Sequence, residues 1–119
     1  MTLSRFRALC LALPGATEQL QWDDDAVFKV GGRMFAVAST RPGTRAHAMV
    51  CSFKCDDEGF AELVEREGIV PAPYLARAKW VALERWDALG DREIAAAVAE
   101  SHRLVRARLP RAAQRALDG

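Results

Sequence analysis

Apolar residues near the start of the chain recur with the spacing of a helix. They are Leu3, Phe6, Leu9, Cys10 and Leu13. Thr2 precedes this stripe and can cap its first turn, and Pro14-Gly15 ends it. The pattern predicts a first amphipathic helix that packs one face on a core.

Gly31-Gly32 separates two runs of strand-forming residues, 26–30 and 33–39. A two-residue glycine turn is typical of a β-hairpin, since both central positions take positive φ. The register that follows pairs Val30 with Arg33, Lys29 with Met34, Phe28 with Phe35, and Ala26 with Val37. We expect the last two pairs to share the core face of the hairpin.

Further strands are predicted on both sides of this hairpin. The first spans residues 17–22 and ends at the acidic turn Asp23-Asp24-Asp25. A longer exposed turn follows the hairpin over residues 40–46, and the next strand spans residues 48–54. A short last strand is expected at residues 80–83.

Two more helices are predicted in the second half of the chain. Asp56 caps one that Gly68 closes, and the two prolines at 71 and 73 make the segment to Arg77 irregular. The longest helix begins at Asp91 and ends at Leu109-Pro110. Residues 111–119 are expected to form a frayed, flexible tail. The pattern as a whole indicates an α+β fold in which an antiparallel sheet of about five strands is covered on one face by the first and last helices.

Length and composition fit one small domain, which we assign to residues 1–110. The chain has 119 residues, of which 50% are hydrophobic and 28% are charged. Its apolar run near the start is too short for a signal or a membrane span. Three cysteines, an odd number, favour reduced thiols and a cytoplasmic location. We expect no membrane association, and a monomer is favoured although the sequence does not determine the oligomeric state.

Charge is segregated along the chain although the net charge is only +1. Residues 26–55 contain five basic residues and no acid, and acidic segments precede and follow them. Such a cluster can concentrate anions at one surface. The alternative is that strands carry the bases and helix starts carry the acids, as helix dipoles favour.

Several short strings in the chain resemble those of the MmcQ/YjbR family of small bacterial proteins. The strings are residues 13–18 (Leu-Pro-Gly-Ala-Thr-Glu), 27–36 (Val-Phe-Lys-Val-Gly-Gly-Arg-Met-Phe-Ala), 53–56 (Phe-Lys-Cys-Asp) and 101–105 (Ser-His-Arg-Leu-Val), with Leu109-Pro110 after them. The resemblance covers roughly residues 3–110 and implies a CyaY-like α+β fold and DNA binding through a double-wing surface.

The chain departs from this family at one string. Many relatives have an Asn-Lys-x-His-Trp-like sequence before the last strand, where this chain has Ala76-Arg77-Ala78-Lys79-Trp80. The amide and the imidazole are missing, so no role of that histidine is carried over. Trp80 and the base beside it remain.

A basic, aromatic set is the strongest candidate site. Its members are Lys29, Arg33, Arg41, Arg45, Arg77, Lys79 and Trp80. Arginines suit bidentate phosphate contacts and an aromatic ring can stack on a base, although a tryptophan on a strand is more typical of a core. We therefore expect a non-enzymatic DNA-binding protein, with a protein-interaction or metal-handling adaptor of frataxin-like fold as the alternative.

Metal and catalytic sites are not expected, and no cofactor is predicted. His47, Cys51 and Cys55 are spaced like zinc ligands, but residues four apart on a strand lie about 13 Å apart, too far to share one ion. The first helix has no carboxylate for iron, and the acidic turn is more typical of a solvated loop than of a cation site. Acids next to Cys55 disfavour a thiolate there, and His102 has no orienting partner that can be identified.

Overall fold

The computed structural model describes residues 1–21, 25–41 and 49–118. Its helices are α1 (Leu3–Leu11), α2 (Asp57–Leu63), α3 (Asp91–Ala107) and α4 (Arg111–Asp118). Its strands are β1 (Ala16–Gln21), β2 (Asp25–Val30), β3 (Arg33–Ser39), β4 (Cys51–Lys54), β5 (Ile69–Pro71) and β6 (Trp80–Leu83). Short 3-10 helices span Ala76–Ala78 and Trp86–Ala88. The fold is α+β, as predicted.

All six strands form one antiparallel sheet in the order β1-β2-β3-β4-β6-β5. We predicted about five strands from the sequence. The additional strand is β5, which lies partly in the segment that the two prolines led us to predict as irregular. Pro71 is tolerated there because β5 lies at the sheet edge, where one side of a strand needs no ladder partner.

The hairpin register is as predicted only next to the turn. Val30 faces Arg33 and Lys29 faces Met34, but a bulge then shifts the pairing, so that Phe28 faces Ala36. Val27 now faces Val37, and the predicted pairs Phe28–Phe35 and Ala26–Val37 are wrong. A bulge places one extra residue on one strand, which moves every later side chain by one position.

The bulge changes which side chains reach the core on the helix-covered face. Phe35 and Ala36 are both fully buried there with Phe28. Val37 instead packs on the other face, in a small cluster with Trp80 and Ala82. The core assignment was therefore right for Phe28, Phe35 and Ala26 and wrong for Val37.

Helices α1 and α3 cover one face of the sheet, as expected. Phe6 and Cys10 of α1 are fully buried, and Ile94, Val98 and Val105 of α3 belong to the same cluster. The Thr2 side chain caps α1 by accepting a hydrogen bond from the backbone N–H of Arg5 at 3.2 Å. The helical stripes read from the sequence therefore form the core.

The predicted frayed tail is instead the helix α4. Its Leu117 packs against the core, and a Cβ placed on Gly15 would lie 2.4 Å from Leu117 Cδ2. A hydrogen bond from the Gln114 side chain to the Leu109 carbonyl oxygen and an ion pair between Arg106 and Asp118 also hold this short helix in place. Within the described residues, no helix is both long and apolar enough to cross a bilayer.

Candidate anion-binding cleft

Three neighbouring strands each have a terminus at the same end of the sheet. Because the strands are antiparallel, β3 begins, β4 ends and β6 begins at this end. The hairpin turn docks on the end of α3 at the same place: a Cβ on Gly31 would lie 2.5 Å from Leu109 Cδ1. This close contact brings the start of β3 beside the last turn of α3.

A cleft of about 340 Å³ lies between these strand ends and α3. Its lining consists of Arg33, Met34, Lys54, Ala78, Trp80, Val105 and Arg108. Three of these residues are basic, and none of the described lining residues is acidic. We call this feature the cationic cleft.

Lys54 is the buried cation of the cationic cleft. It is only 9% exposed, and its Nζ donates a hydrogen bond to the carbonyl oxygen of Ala78 at 2.5 Å. Burial lowers the pKa of Lys54, and the positive charge of Arg108 lowers it further. Cys55 and Asp57 oppose this shift, and no carboxylate of a described residue forms an ion pair with Lys54. The ammonium is therefore held without a paired carboxylate.

Arg33 and Arg108 flank this ammonium with exposed guanidinium groups. Neither side chain makes a hydrogen bond or an ion pair with any other described residue. Six other described arginines form ion pairs, as Arg66 does with Glu93 and Arg103 does with Glu100. The donors of Arg33 and Arg108 thus remain available to an external anion.

Ser101 fixes the backbone under Lys54. Its Oγ accepts a hydrogen bond from the Lys54 backbone N–H at 3.0 Å and donates one to the Phe35 carbonyl oxygen at 2.6 Å. These two backbone groups lie just past the last β3–β4 pair, Ala36–Phe53. The buried hydroxyl of α3 therefore replaces ladder bonds at the bulge and ties β3 and β4 together beside the cleft.

Three residues of the predicted basic set besides Arg33 lie at or near the cationic cleft. Arg77 is exposed on the 3-10 helix next to Ala78, whose carbonyl holds Lys54. Lys79 lies 5.1 Å from the centroid of the Phe60 ring, in a cation–π contact. Trp80 is 4% exposed, so it forms part of the cleft wall and offers no open ring face for stacking on a base.

The rest of the predicted set is dispersed. The Lys29 ammonium donates a hydrogen bond to Gln19 Oε1 at 3.0 Å on the β1–β2 surface. Arg33 belongs to the cleft, but Arg41 follows the opposite end of β3, about 20 Å away at the usual strand rise. Arg45 lies outside the described residues, as do His47, Asp23 and Asp24. The predicted residues therefore do not form one patch.

Sequence reasoning missed Lys54 and Arg108 as site residues. Lys54 belonged to the acid-free segment and to a family-like string, but it follows a core residue on a short strand. Arg108 is one of several arginines near the end of the chain. Only the packing of α3 on β4 brings these two residues together.

The described cysteines and His102 are buried and packed within the fold. Burial raises the pKa of Cys10 to about 12 and that of Cys55 to about 11, and it also raises the pKa of Cys51. His102 Nε2 lies 2.8 Å from the Pro14 carbonyl oxygen, and its ring packs edge-on against Phe35. In the described ranges, no three His, Cys, Asp or Glu side chains cluster as metal ligands would.

A larger apolar cleft of about 540 Å³ lies on the sheet face opposite α1 and α3. Met34, Val37, Met49 and Leu75 are among its apolar walls. Tyr74 stands at this cleft, fully exposed and at a φ of 66°. This cleft has the greater volume, but the cationic cleft holds the convergent charges that point to a ligand.

Comparisons with known proteins agree with this architecture. The structure superposes on the crystal structure of a structural-genomics protein from Pseudomonas syringae with a TM-score of 0.70. The match covers 87% of this chain and 98% of that protein, with 20% sequence identity. None of the curated proteins matches the chain. The family model described as YjbR matches residues 11–104, and the chain therefore belongs to the YjbR family.

Proposed function

We propose that the protein binds nucleic acid through phosphate contacts at the cationic cleft, without catalysis. The observation that carries this proposal is the convergence of Lys54, Arg33 and Arg108 in a cleft whose described lining has no carboxylate. Phosphates are the commonest partners of such groups on nucleic acids, and arginine can contact them bidentately. Arg77 extends the positive surface beside the cleft.

The small number of cations limits the affinity. Each neutralised phosphate of a duplex contributes about 0.9 to the slope of log K against log salt concentration. Three or four contacts on a protein of net charge +1 therefore predict modest binding that weakens steeply with salt. Little dependence on sequence is expected, because phosphate contacts do not distinguish bases.

A salt titration tests the proposed function. Purified protein is titrated with duplex and single-stranded DNA of unrelated sequences at several low salt concentrations. We expect binding with a salt slope of about −2 to −4 and similar affinities across sequences. No detectable binding at the lowest salt concentration would contradict the proposal.

The absence of catalysis and the cytoplasmic location are parts of the same proposal. A nucleophilic cysteine needs a lowered pKa, whereas the pKa values of Cys10, Cys51 and Cys55 are all raised. His102 contacts a backbone carbonyl and an aromatic ring rather than a nucleophile. Three free, buried thiols are suited to a reducing compartment.

A protein-interaction adaptor is the second candidate function. The apolar cleft on the other sheet face favours it, since apolar clefts beside an exposed aromatic residue are typical of contact surfaces. Substitution of Tyr74 by Ser separates the two candidates. It should leave DNA binding unchanged if the cationic cleft is the site.

A further inference from the structure

Lys54 differs from the other described lysines because it is both buried and without a carboxylate partner. Its ammonium has three donors, and the Ala78 carbonyl is the acceptor that the structure gives it. The charged groups that act on it are Arg108, which repels the ammonium, and Cys55 and Asp57, which oppose this effect. A partly buried ammonium without a carboxylate partner gains from an anion that enters the cleft.

The surroundings of Lys54 favour an anion of more than one charge. Arg33 and Arg108 line the same cleft and have no partner among the described residues. An internal phosphodiester has one negative charge and two free oxygens, and its strand continues on both sides. A phosphate monoester has a charge of about −1.5 to −2 at pH 7 and three free oxygens. It can therefore accept hydrogen bonds from all three basic side chains at once.

The remaining walls suit the group attached to such a phosphate. Met34, Trp80 and Val105 give the cleft apolar sides, against which a sugar or a base can pack. The volume of about 340 Å³ lies at the small end of the range for ligand pockets.

We propose that the cationic cleft is a pocket for the terminal phosphate monoester of a nucleic acid strand, held by Lys54, Arg33 and Arg108. This inference rests on the proposed function and specifies which phosphate occupies the cleft. Internal phosphates then contact Arg77 and the outer parts of the arginines, and contribute the salt-dependent but weaker part of the binding.

The test compares short single-stranded oligothymidylates of one length that carry a phosphate at the 5′ end, at the 3′ end or at neither end. We expect one of the phosphorylated strands to bind at least about tenfold more tightly than the strand without a terminal phosphate, as charge-assisted hydrogen bonds to a buried ammonium imply. Equal binding of the three strands would overturn the inference and leave the proposed function standing. No binding of any strand at low salt would contradict the proposed function itself.

Variants of Lys54 test whether this residue causes the preference for a terminal phosphate. Lys54→Met removes the charge while keeping an apolar stem, and we expect the terminal-phosphate preference to disappear while the unphosphorylated strand still binds. Lys54→Gln keeps a donor for the Ala78 carbonyl and serves if the methionine variant does not fold. Persistence of the preference in a folded Lys54 variant would overturn the inference. Competition by thymidine monophosphate as strong as that of the phosphorylated strand would also overturn it, because the ligand would then be a free nucleotide.

Discussion

Leu109 packs directly over Gly31, and a Cβ on this glycine would lie 2.5 Å from Leu109 Cδ1. The contact joins the hairpin turn to the end of α3, although the two residues are far apart in the sequence. It sets the separation of β3 and α3 where Arg33 and Arg108 line the cationic cleft. The conformational freedom of one glycine thus shapes the candidate site.

Gly31→Ala is expected to destabilise the protein by about 2 to 4 kcal/mol, because the new Cβ meets Leu109 and the backbone is at positive φ. Gly31 has a φ of 58°. Gly32→Ala is the matched control: its φ is 82°, but nothing lies within 4 Å of the added Cβ. This variant should lose only about 1 kcal/mol. Urea denaturation measures both, and equal losses would show that the Leu109 contact is unimportant.

Ser101→Ala tests the hydroxyl that links β3 and β4. The substitution leaves the buried Lys54 N–H and the Phe35 carbonyl without their partner, which is expected to cost about 2 kcal/mol or more. The same change at Ser4, an exposed residue of α1, should alter stability by less than about 0.5 kcal/mol. A Ser101 variant as stable as the Ser4 variant would mean that other groups form the hydrogen bonds of the Lys54 N–H and the Phe35 carbonyl oxygen.

The sequence predicted those parts of the fold that local patterns determine. The capped first helix and the Gly31-Gly32 turn follow from residues adjacent in the chain, and both are present. The bulge next to Phe28 could not be predicted, because the two strand-forming runs around Gly31-Gly32 contain no local signal for an extra residue. The predicted hairpin register is therefore wrong beyond the second pair.

The candidate site was predictable only in part, for the same reason. A charge run identifies Arg33, but β3 is an extended strand that runs from Arg33 towards Arg41 and places Arg41 at its opposite end. Arg108 comes into the cleft through the packing of α3, and Trp80 is drawn into the core by its own apolar surface. The sequence shows which residues are basic, and the tertiary fold determines which of them lie close together.

The buried thiols predict a loss of stability at alkaline pH. The pKa of Cys55 is raised from 9.0 to about 11 and that of Cys10 to about 12, so both stay protonated in the folded protein after they ionise in the unfolded chain. The unfolded state releases protons first, and the stabilisation present below pH 9 is lost as the pH rises from about 9 towards 11. Each buried thiol contributes up to about 1.4 kcal/mol per pH unit in this range.

Urea denaturation between pH 8 and pH 11 measures this loss. Cys10→Ala removes one thiol, and the stability of this variant should fall less steeply above pH 9 than that of the unmodified protein. Identical slopes for the two proteins would show that Cys10 ionises as easily in the folded state as in the unfolded chain.

A double variant, Arg33→Gln with Arg108→Gln, gives the most direct test of a phosphate site at the cationic cleft. The quantity to measure is the salt dependence of its binding to duplex DNA. Two lost phosphate contacts should weaken binding across unrelated sequences and reduce the slope of log K against log salt concentration by about 1.8. Arg92→Gln is the matched control, since Arg92 is exposed at the other end of α3, about 24 Å from Arg108 at the helical rise. We expect an unchanged slope for the Arg92 variant and for Arg41→Gln. An equal reduction in all of these variants, or none in the double variant, would contradict a phosphate site at the cationic cleft.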